Sequence, residues 1–499
     1  MSDTEPFAVL VLLAAVVGLA AVLSNRLTAR LKIPAPGVLL IVSAVAVQII
    51  PALRAPSAMT VQRIVTIALL FILFDGGLSI GWSKFRSAWA PISVVGVAGT
   101  FLTAAAGALL LHTAFGLAWY PALLVATAVA PTDPAVVFSV LGGKEVAGRS
   151  GTILEGESGA NDPVGIALMA GLVTAGHLSG QTFLHVGGEF VLEMGAGAAV
   201  GIVGGRALLW FMRRVPLPSE GLYPLRTLAS ALALFGVATL VHGSGFLAVF
   251  IAGIVVGDQR APYKREIERF HGALASLGEI VAFIALGLTV DLHTLARGDV
   301  WIPGLIFGVV LAVIIRPIFV GLCLATTRLR RNERAFVLFA GLKGAVPILL
   351  GSFILATGLP DTERLYGIAV VVVIFSVIVQ GGLVPAMTGW LRLPMRTVEP
   401  EPWALGLRLH QEPEGVHRFT VAAGSPADGH SVRTLSDRPS DMWITLLVRD
   451  QQLLAITGDT TLRAGDQILV MGDPNEESDL RATFEHQPPD RLPGKNSTR

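Results

Sequence analysis

The sequence predicts an all-α polytopic membrane domain of about thirteen transmembrane helices, followed by a small α+β cytoplasmic domain. Three observations predict it. Hydrophobic residues make up 53% of the 499 and charged residues only 15%, whereas a typical soluble chain carries about 25% charged residues. Apolar runs of roughly 20 residues, the length that crosses a bilayer, recur as far as about residue 390. Beyond Arg396 the charged fraction rises sharply, and Glu399-Pro-Glu-Pro402 has the character of a linker. The expected organisation is a membrane domain at 1–395, a linker at 396–409, a second domain at 410–486 and a disordered, charged, Pro-rich end at 487–499.

The spans are expected at about 7–24, 34–52, 61–81, 88–113, 117–141, 154–176, 185–211, 224–242, 245–258, 272–290, 301–327, 334–357 and 365–390. The first lacks a small-residue cleavage site and is read as a retained helix. The 55 glycines suit close packing and interruption of membrane helices. The single cysteine, Cys323, excludes an internal disulfide framework.

Charge placement tests this topology. With the N-terminus outside, the inner loops collect basic clusters such as Arg26-Arg30-Lys32, Lys264-Arg265-Arg269 and Arg328-Arg330-Arg331. The outer loops hold only Arg54, Arg63, Arg297 and Arg364, as the positive-inside rule requires. A missed span would scramble that alternation downstream of itself. The formal net charge of +1 therefore hides a basic membrane domain and an acidic tail on its cytoplasmic side. It gives no indication of a nucleic-acid partner.

Ionisable residues inside a bilayer are costly, so each is a functional candidate. The densest group is Glu155-Gly-Glu-Ser-Gly-Ala-Asn-Asp-Pro163 in the sixth span. On a helix Glu157 and Asn161 share a face, and so do Ser158 and Asp162. Pro163 is expected to loosen the helix after Asp162 and free carbonyls. Ala130-Pro-Thr-Asp-Pro134 in the fifth span and Gly341-Leu-Lys-Gly-Ala-Val-Pro347 in the twelfth are hard to keep as continuous helix. Two broken helices in corresponding places suggest inverted repeats that cross at a mid-membrane ion site, with Asp133 at one break and Lys343 at the other. Carboxylates, a hydroxyl and main-chain carbonyls are hard donors for an alkali cation or a proton, and no transition-metal set is present. Competition of the two ions for Asp162, with access alternating between sides, is sufficient for antiport; a structural reading instead pairs the acids with Arg316 and Lys343. A cation channel gated by the tail is the reading from another class. An enzyme is not expected, since no activated nucleophile or His-Glu-x-x-His motif occurs.

At these residues the sequence resembles the NhaP-type branch of the monovalent cation:proton antiporters. The resemblance rests on Phe74-Asp-Gly-Gly77, Thr132-Asp133-Pro134, Glu157-Ser158 with Asn161-Asp162-Pro163, Arg316-Pro317 and Gly341-Leu-Lys-Gly-Ala345, in the family's order. It implies thirteen spans, a homodimer, and elevator-like movement of a transport domain against a dimerisation domain. It also implies that Asp162 is the exchanging carboxylate with Asp133 beside it, that Ser158 offers its hydroxyl, and that Thr132 offers its main-chain carbonyl to K⁺ or Na⁺. Glu157 is then an acid held by Asn161 and paired with Arg316. Lys343 stands where sodium/proton members usually carry Arg, which resembles the potassium/proton branch. Asp75 is read as structural, and Glu279 is assigned no role.

From His417 the tail reads as short strands and turns: Arg418 to Ala422, Met442 to Val448, Leu453 to Thr457, and a strand after Gly465-Asp466. This resembles the TrkA-C domain, which implies dimerisation and, as a regulatory input, binding of a nucleotide or another small anion; a plain dimerisation module is the alternative. No cofactor is expected beyond the transported ions. The expected location is the inner (plasma) membrane, among lipid.

Overall fold

A computed structural model of the chain describes residues 34–50, 57–141, 144–146, 148–177, 180–259, 261–325, 327–397, 415–436, 442–450, 452–472 and 477–485, with three isolated residues before them. The first expected span, most of the linker and the end at 487–499 lie outside the described residues. Two compact units divide at Trp403 and Ala404.

In the first unit the apolar runs become helices in the expected order. They are α1 (Ala35–Ile49), α2 (Ala58–Ser93), α3 (Thr100–Phe115), α4 (Trp119–Ala128), α5 (Pro134–Leu141), α6 (Arg149–Ala175) and α7 (Gly180–Arg214). There follow α8 (Leu222–Leu240), α9 (Gly245–Gly257), α10 (Lys264–Gly287), the single turn α11 (Leu292–Leu295), α12 (Gly298–Val310) and α13 (Arg316–Cys323). The last are α14 (Arg331–Phe339), α15 (Ala345–Ile354), α16 (Thr362–Ile374) and α17 (Gly381–Trp390). Among the described residues six helical stretches are long and apolar enough to cross a membrane by themselves. One of them, Met59–Phe115, runs 57 residues, far more than the roughly 20 that one crossing needs. Non-helical backbone at Gly81 and Ala88 divides it into the third and fourth spans.

The fifth and twelfth spans are each two half-helices. The fifth stops at Ala128 and resumes at Pro134; the twelfth stops at Phe339 and resumes at Ala345. Proline supplies no N–H and its ring clashes with the preceding turn, and glycine adds little resistance to unwinding, so both breaks follow from local sequence. Pro163 behaves differently. α6 runs unbroken through it, so the proline frees only the carbonyl four residues back, at Gly159. The expected loosening after Asp162 does not occur, because neighbours pack the helix from several sides.

Three π-helical turns interrupt spans where the sequence offers no clear signal: Val94–Gly99, Leu311–Ile315 and Phe375–Gln380. The second leads directly into Arg316, and the third contains Ser376 and Gln380. Wide turns of this kind are common at functional sites. A large apolar core, including Leu124, Val136, Ile153, Phe336, Ile348 and Leu350, surrounds both broken helices. Large apolar side chains left exposed, such as Val191, Val203, Trp210 and Trp390, face outward from the helices, as lipid contact requires.

Two three-residue strands were not foreseen. β1 (Lys144–Val146) pairs antiparallel with β2 (Met395–Thr397), joining the loop before α6 to the segment after the last span. β2 begins the stretch expected as linker. Strands this short carry no alternating pattern to read.

The second unit holds a four-stranded antiparallel sheet of β3 (Val416–Thr420), β4 (Trp443–Arg449), β5 (Gln452–Leu454) and β6 (Gln467–Met471), in the order β3-β6-β4-β5. Helices α18 (Val432–Ser436) and α19 (Glu477–Phe484) complete it. In β6, Ile468 and Val470 alternate inward onto Phe419, Leu447, Leu480 and Phe484. The strand expected at Leu453 to Thr457 is shorter and shifted, ending at Leu454.

Gly465-Asp466 opens β6 through an ion pair between buried Asp466 and half-buried Arg449. Arg449 Nε and Nη2 each donate to the Asp466 carboxylate at 2.7 Å, and the Arg463 N–H donates to it at 2.8 Å. Burial alone would raise the Asp466 carboxyl; the Arg449 and Arg463 hydrogen bonds outweigh it and hold the group below its ordinary value. A depressed folded-state pKa stabilises above the unfolded value, about 3.9, and the gain is lost as pH falls through the folded value. Asp466→Ala is therefore expected to destabilise this unit by about 2–3 kcal/mol at pH 7. In urea melts the difference from wild type should shrink steadily below about pH 4.

Candidate functional site

The two unwound segments cross and bond to each other. The Asp133 N–H donates to the Leu342 carbonyl at 2.8 Å. Lys343 Nζ donates to the Ala130 and Pro131 carbonyls at 2.8 and 3.1 Å. The approach is so close that a Cβ on Gly344 would overlap the Asp133 carboxylate, so only glycine fits there.

Half-helix ends carry partial charges, positive at the N-terminus and negative at the C-terminus. Each end here meets a group of opposite sign. Asp133 Oδ1 accepts from the Ala135 N–H at 2.9 Å, at the start of α5, and its carboxylate also takes the Ala345 N–H at the start of α15. Lys343 lies on the carbonyls just past the end of α4. Arg316 donates to the Leu338 and Val337 carbonyls at 3.0 and 3.2 Å, at the end of α14. Gln380 Nε2 takes the next carbonyl, of Phe339, at 2.6 Å, and Ser376 Oγ joins Gln380 to the Lys343 N–H. Each break thus takes one charged group from the other half of the chain, Lys343 at the end of α4 and Asp133 at the start of α15.

α6 passes beside this crossing and presents two faces. On one, Glu157 accepts a two-pronged bond from Arg316, at 2.7 and 3.0 Å. Both residues are almost wholly buried, Glu157 at 1% and Arg316 at 4% exposure. The planar guanidinium fork suits this geometry in a way an ammonium would not. Asn161 lies on the same face, but its partner is Thr132: Nδ2 donates to Thr132 Oγ1 at 2.8 Å, and Oδ1 accepts from the Thr132 N–H at 3.3 Å. Thr132 Oγ1 in turn donates to Glu157 at 3.4 Å. The expectation that Asn161 holds Glu157 directly is thereby corrected: the link runs through the Thr132 hydroxyl. Sequence reading missed that hydroxyl because it counted on the Thr132 carbonyl alone.

The other face carries Ser158 and Asp162, one turn apart and both buried. Asp162 Oδ1 has no hydrogen-bond partner among the described residues. The charges that act on its carboxyl are Asp133 and Lys343. Among the described residues no hydrogen bond uses the Thr132 main-chain carbonyl. Thus Asn161, Thr132, Glu157 and Arg316 form one chain of hydrogen bonds, Asp133 and Lys343 hold the main chain at the crossing, and α6 carries Ser158 and Asp162 on its second face. Asp75 takes part in none of these bonds and faces Gly272 of α10.

The donors left over are a carboxylate oxygen and, near it, hydroxyl and carbonyl oxygens. That set suits a hard monovalent cation or a proton. Among the described residues no group of three or more His, Cys, Asp and Glu could hold a metal ion as a ligand cluster.

A family model described as sodium/hydrogen exchanger, transmembrane, matches residues 11–390. The chain belongs to the sodium/hydrogen exchanger family. A second model, the TrkA-C domain, matches residues 416–485. The K(+)/H(+) antiporter NhaP of Alkalimonas amylolytica is 33% identical over 412 residues, covering 81% of this chain and 71% of that protein. The K(+)/H(+) antiporter NhaP2 of Shewanella oneidensis is 30% identical over 438 residues, covering 86% and 75%. The sodium proton antiporter MjNhaP1 of Methanocaldococcus jannaschii shares the fold, with a TM-score of 0.64 at 22% identity over 77% of this chain and 98% of that one. The chain is thus a monovalent cation/proton antiporter of the NhaP family.

Proposed function

We propose that this antiporter exchanges K⁺ for H⁺, with the two ions competing for Asp162. The observation that carries the reading is the unpartnered Asp162 Oδ1, buried beside the crossing of the two broken helices. Glu157 is paired with Arg316, and the charges that act on Asp162 are those of Asp133 and Lys343, so the two acids and the one ammonium carry one net exchangeable negative charge. A proton or a monovalent cation neutralises it equally well, and both together are excluded by the same electrostatics. One-for-one, electroneutral exchange follows. Ser158 and the Thr132 carbonyl complete the cation's shell, while Glu157, Asn161, Arg316 and Lys343 hold it in shape.

Access alternates by an elevator-like movement of the helices bearing the site, within a homodimer whose other helices stay against each other and the lipid. Residues 1–395 form the exchanger and 410–486 a cytoplasmic regulatory domain, which binds a nucleotide or another small anion. The N-terminus lies outside the inner (plasma) membrane.

Support for K⁺ comes from the compact ammonium of Lys343 and from the relatives named as K(+)/H(+) antiporters. Na⁺ is the second reading, since a 25% identical relative is named a low-affinity Na(+)/H(+) antiporter. In proteoliposomes with a luminal pH dye, an outward K⁺ gradient should acidify the lumen at a lower half-saturating concentration than Na⁺ or Li⁺. Tighter coupling to Na⁺ would reverse the assignment. Flux that follows voltage without a proton gradient would replace the antiporter by a channel.

A further inference from the structure

Ser376 and Gln380 are buried polar residues, 2% and 5% exposed, in the π-helical turn Phe375–Gln380. Together they bridge the break in the twelfth span. Gln380 Nε2 donates to the carbonyl of Phe339, the last residue of α14, at 2.6 Å. A carbonyl only accepts, so the amide oxygen faces Ser376, whose hydroxyl donates to it at 3.0 Å. The same hydroxyl oxygen accepts the Lys343 N–H at 2.9 Å. A backbone group at each end thus fixes the direction of every bond in the bridge.

The path continues to the other side of the crossing. The Lys343 ammonium donates to the Ala130 and Pro131 carbonyls at 2.8 and 3.1 Å, and the next carbonyl along the chain is that of Thr132. An unbroken series of hydrogen bonds therefore runs from the π-helical turn to the segment just before Thr132.

The turn has little freedom to shift. A Cβ added to Gly308 would come within 2.9 Å of the Phe375 ring, and one added to Gly381 within 2.9 Å of Pro34 and 3.5 Å of Leu342. Beside the bridge, Arg316, Lys343, Ser376 and Gln380 help to line a cavity of about 10 Å³, at most one water in size. Capping the Phe339 carbonyl alone would need a single donor. The bridge does more: it also grips the main chain of the one cationic residue at the break.

Resting on the antiport reading above, we propose that Ser376 and Gln380 are positioning residues for the cation site. They fix the main chain at Lys343, so that its ammonium holds Ala130 and Pro131 and thereby sets where the Thr132 carbonyl stands. They touch neither ion. Their effect is on cation affinity and on the discrimination between K⁺ and Na⁺, because selectivity between hard cations depends on how rigidly their oxygen ligands are held.

The test uses the full-length protein in proteoliposomes, with initial rates of H⁺ movement measured against K⁺ and Na⁺ concentration. Ser376→Ala and Gln380→Leu should each raise the half-saturating K⁺ about fivefold while lowering the maximal rate less than about twofold, the pattern of lost binding rather than lost turnover. The ratio of the K⁺ and Na⁺ half-saturations should move toward one. Ser376→Thr keeps the hydroxyl and should restore wild-type affinity. The double variant should lose no more than the worse single one, because both changes cut the same link. In detergent, the Rb⁺ concentration that protects against thermal unfolding should rise by a similar factor. A bridge that only closes the end of α14 would lower the melting temperature and the maximal rate yet leave half-saturation and the ion ratio at wild-type values; that result overturns the proposal. Equal loss in Ser376→Ala and Ser376→Thr overturns it as well. Should Gln380→Leu fail to fold, Ser376→Ala decides, since it removes a single oxygen. Unchanged half-saturation in these variants, with exchange still abolished by Asp162→Asn, removes only the role of the bridge. Absence of alkali-driven H⁺ movement in wild type removes the antiport reading and the bridge with it.

Discussion

Asp162→Asn reduces cation-driven H⁺ movement in proteoliposomes to the level of empty vesicles while leaving the protein folded. The amide matches the carboxylate in size but can neither ionise nor release a proton, so the site loses its one exchangeable charge. Folding is spared because Oδ1 makes no hydrogen bond in the native protein; replacing it strands no partner. The measurement is luminal dye response to K⁺ and Na⁺ gradients, with gel-filtration behaviour and melting temperature as controls. Residual exchange at a substantial fraction of wild type would place the competing site elsewhere, and Asp133 would then be the first residue to test.

Breaking the Glu157–Arg316 pair from one side gives the largest expected effect on stability. Both side chains are buried, and the guanidinium also holds the Val337 and Leu338 carbonyls at the end of α14. Removal of either charge strands the other in a low-dielectric interior, typically at a cost of about 3–5 kcal/mol. Glu157→Leu or Arg316→Met alone should therefore lower the melting temperature in detergent markedly. The double variant should regain a good part of the loss, because no buried charge is then left unpaired. Double-variant stability no better than that of the worse single variant would mean that the two residues do not act as a pair. Recovery of folding without recovery of transport would separate the pair's structural role from its shaping of the site.

The ion pair also marks how far the sequence could be read. Glu157, Arg316 and Lys343 stood out because charge within an apolar run is rare and costly. Which charge met which was not legible from local pattern. The Arg316–Glu157 bond spans 159 positions of chain and the Lys343–Ala130 bond 213, and no periodicity encodes separations of that size. The breaks in the fifth and twelfth spans were visible, since proline and glycine act on their own neighbourhood. The π-helical turns before Arg316 and around Ser376 were not, because they arise where packing forces an extra residue into a turn. The continuity of α6 through Pro163 is the same lesson reversed: tertiary packing overrode a local breaker. In the tail, the apolar run after Gly465-Asp466 announced β6, but which residues it buries was decided by the sheet, and β5 fell outside its expected bounds because a three-residue edge strand has too few positions to show a period. Asn161 and Thr132 were each recognised, yet their mutual bonds were not, since a threonine next to a broken helix offers a hydroxyl, an N–H and a carbonyl, and only geometry selects among them.

By itself the sequence determined that this chain lives in a membrane, where its helices lie, which two of them break, and which few charges the bilayer would have to tolerate. Those properties follow from hydrophobic burial and backbone geometry, which act locally and leave a local record. The tertiary structure decided which charges neutralise one another, that Thr132 joins Asn161 to Glu157, and that Asp162 and Glu279 are left with an unsatisfied oxygen. Electrostatic pairing depends on distance in space, and in a fold built from crossing halves that distance is unrelated to distance along the chain.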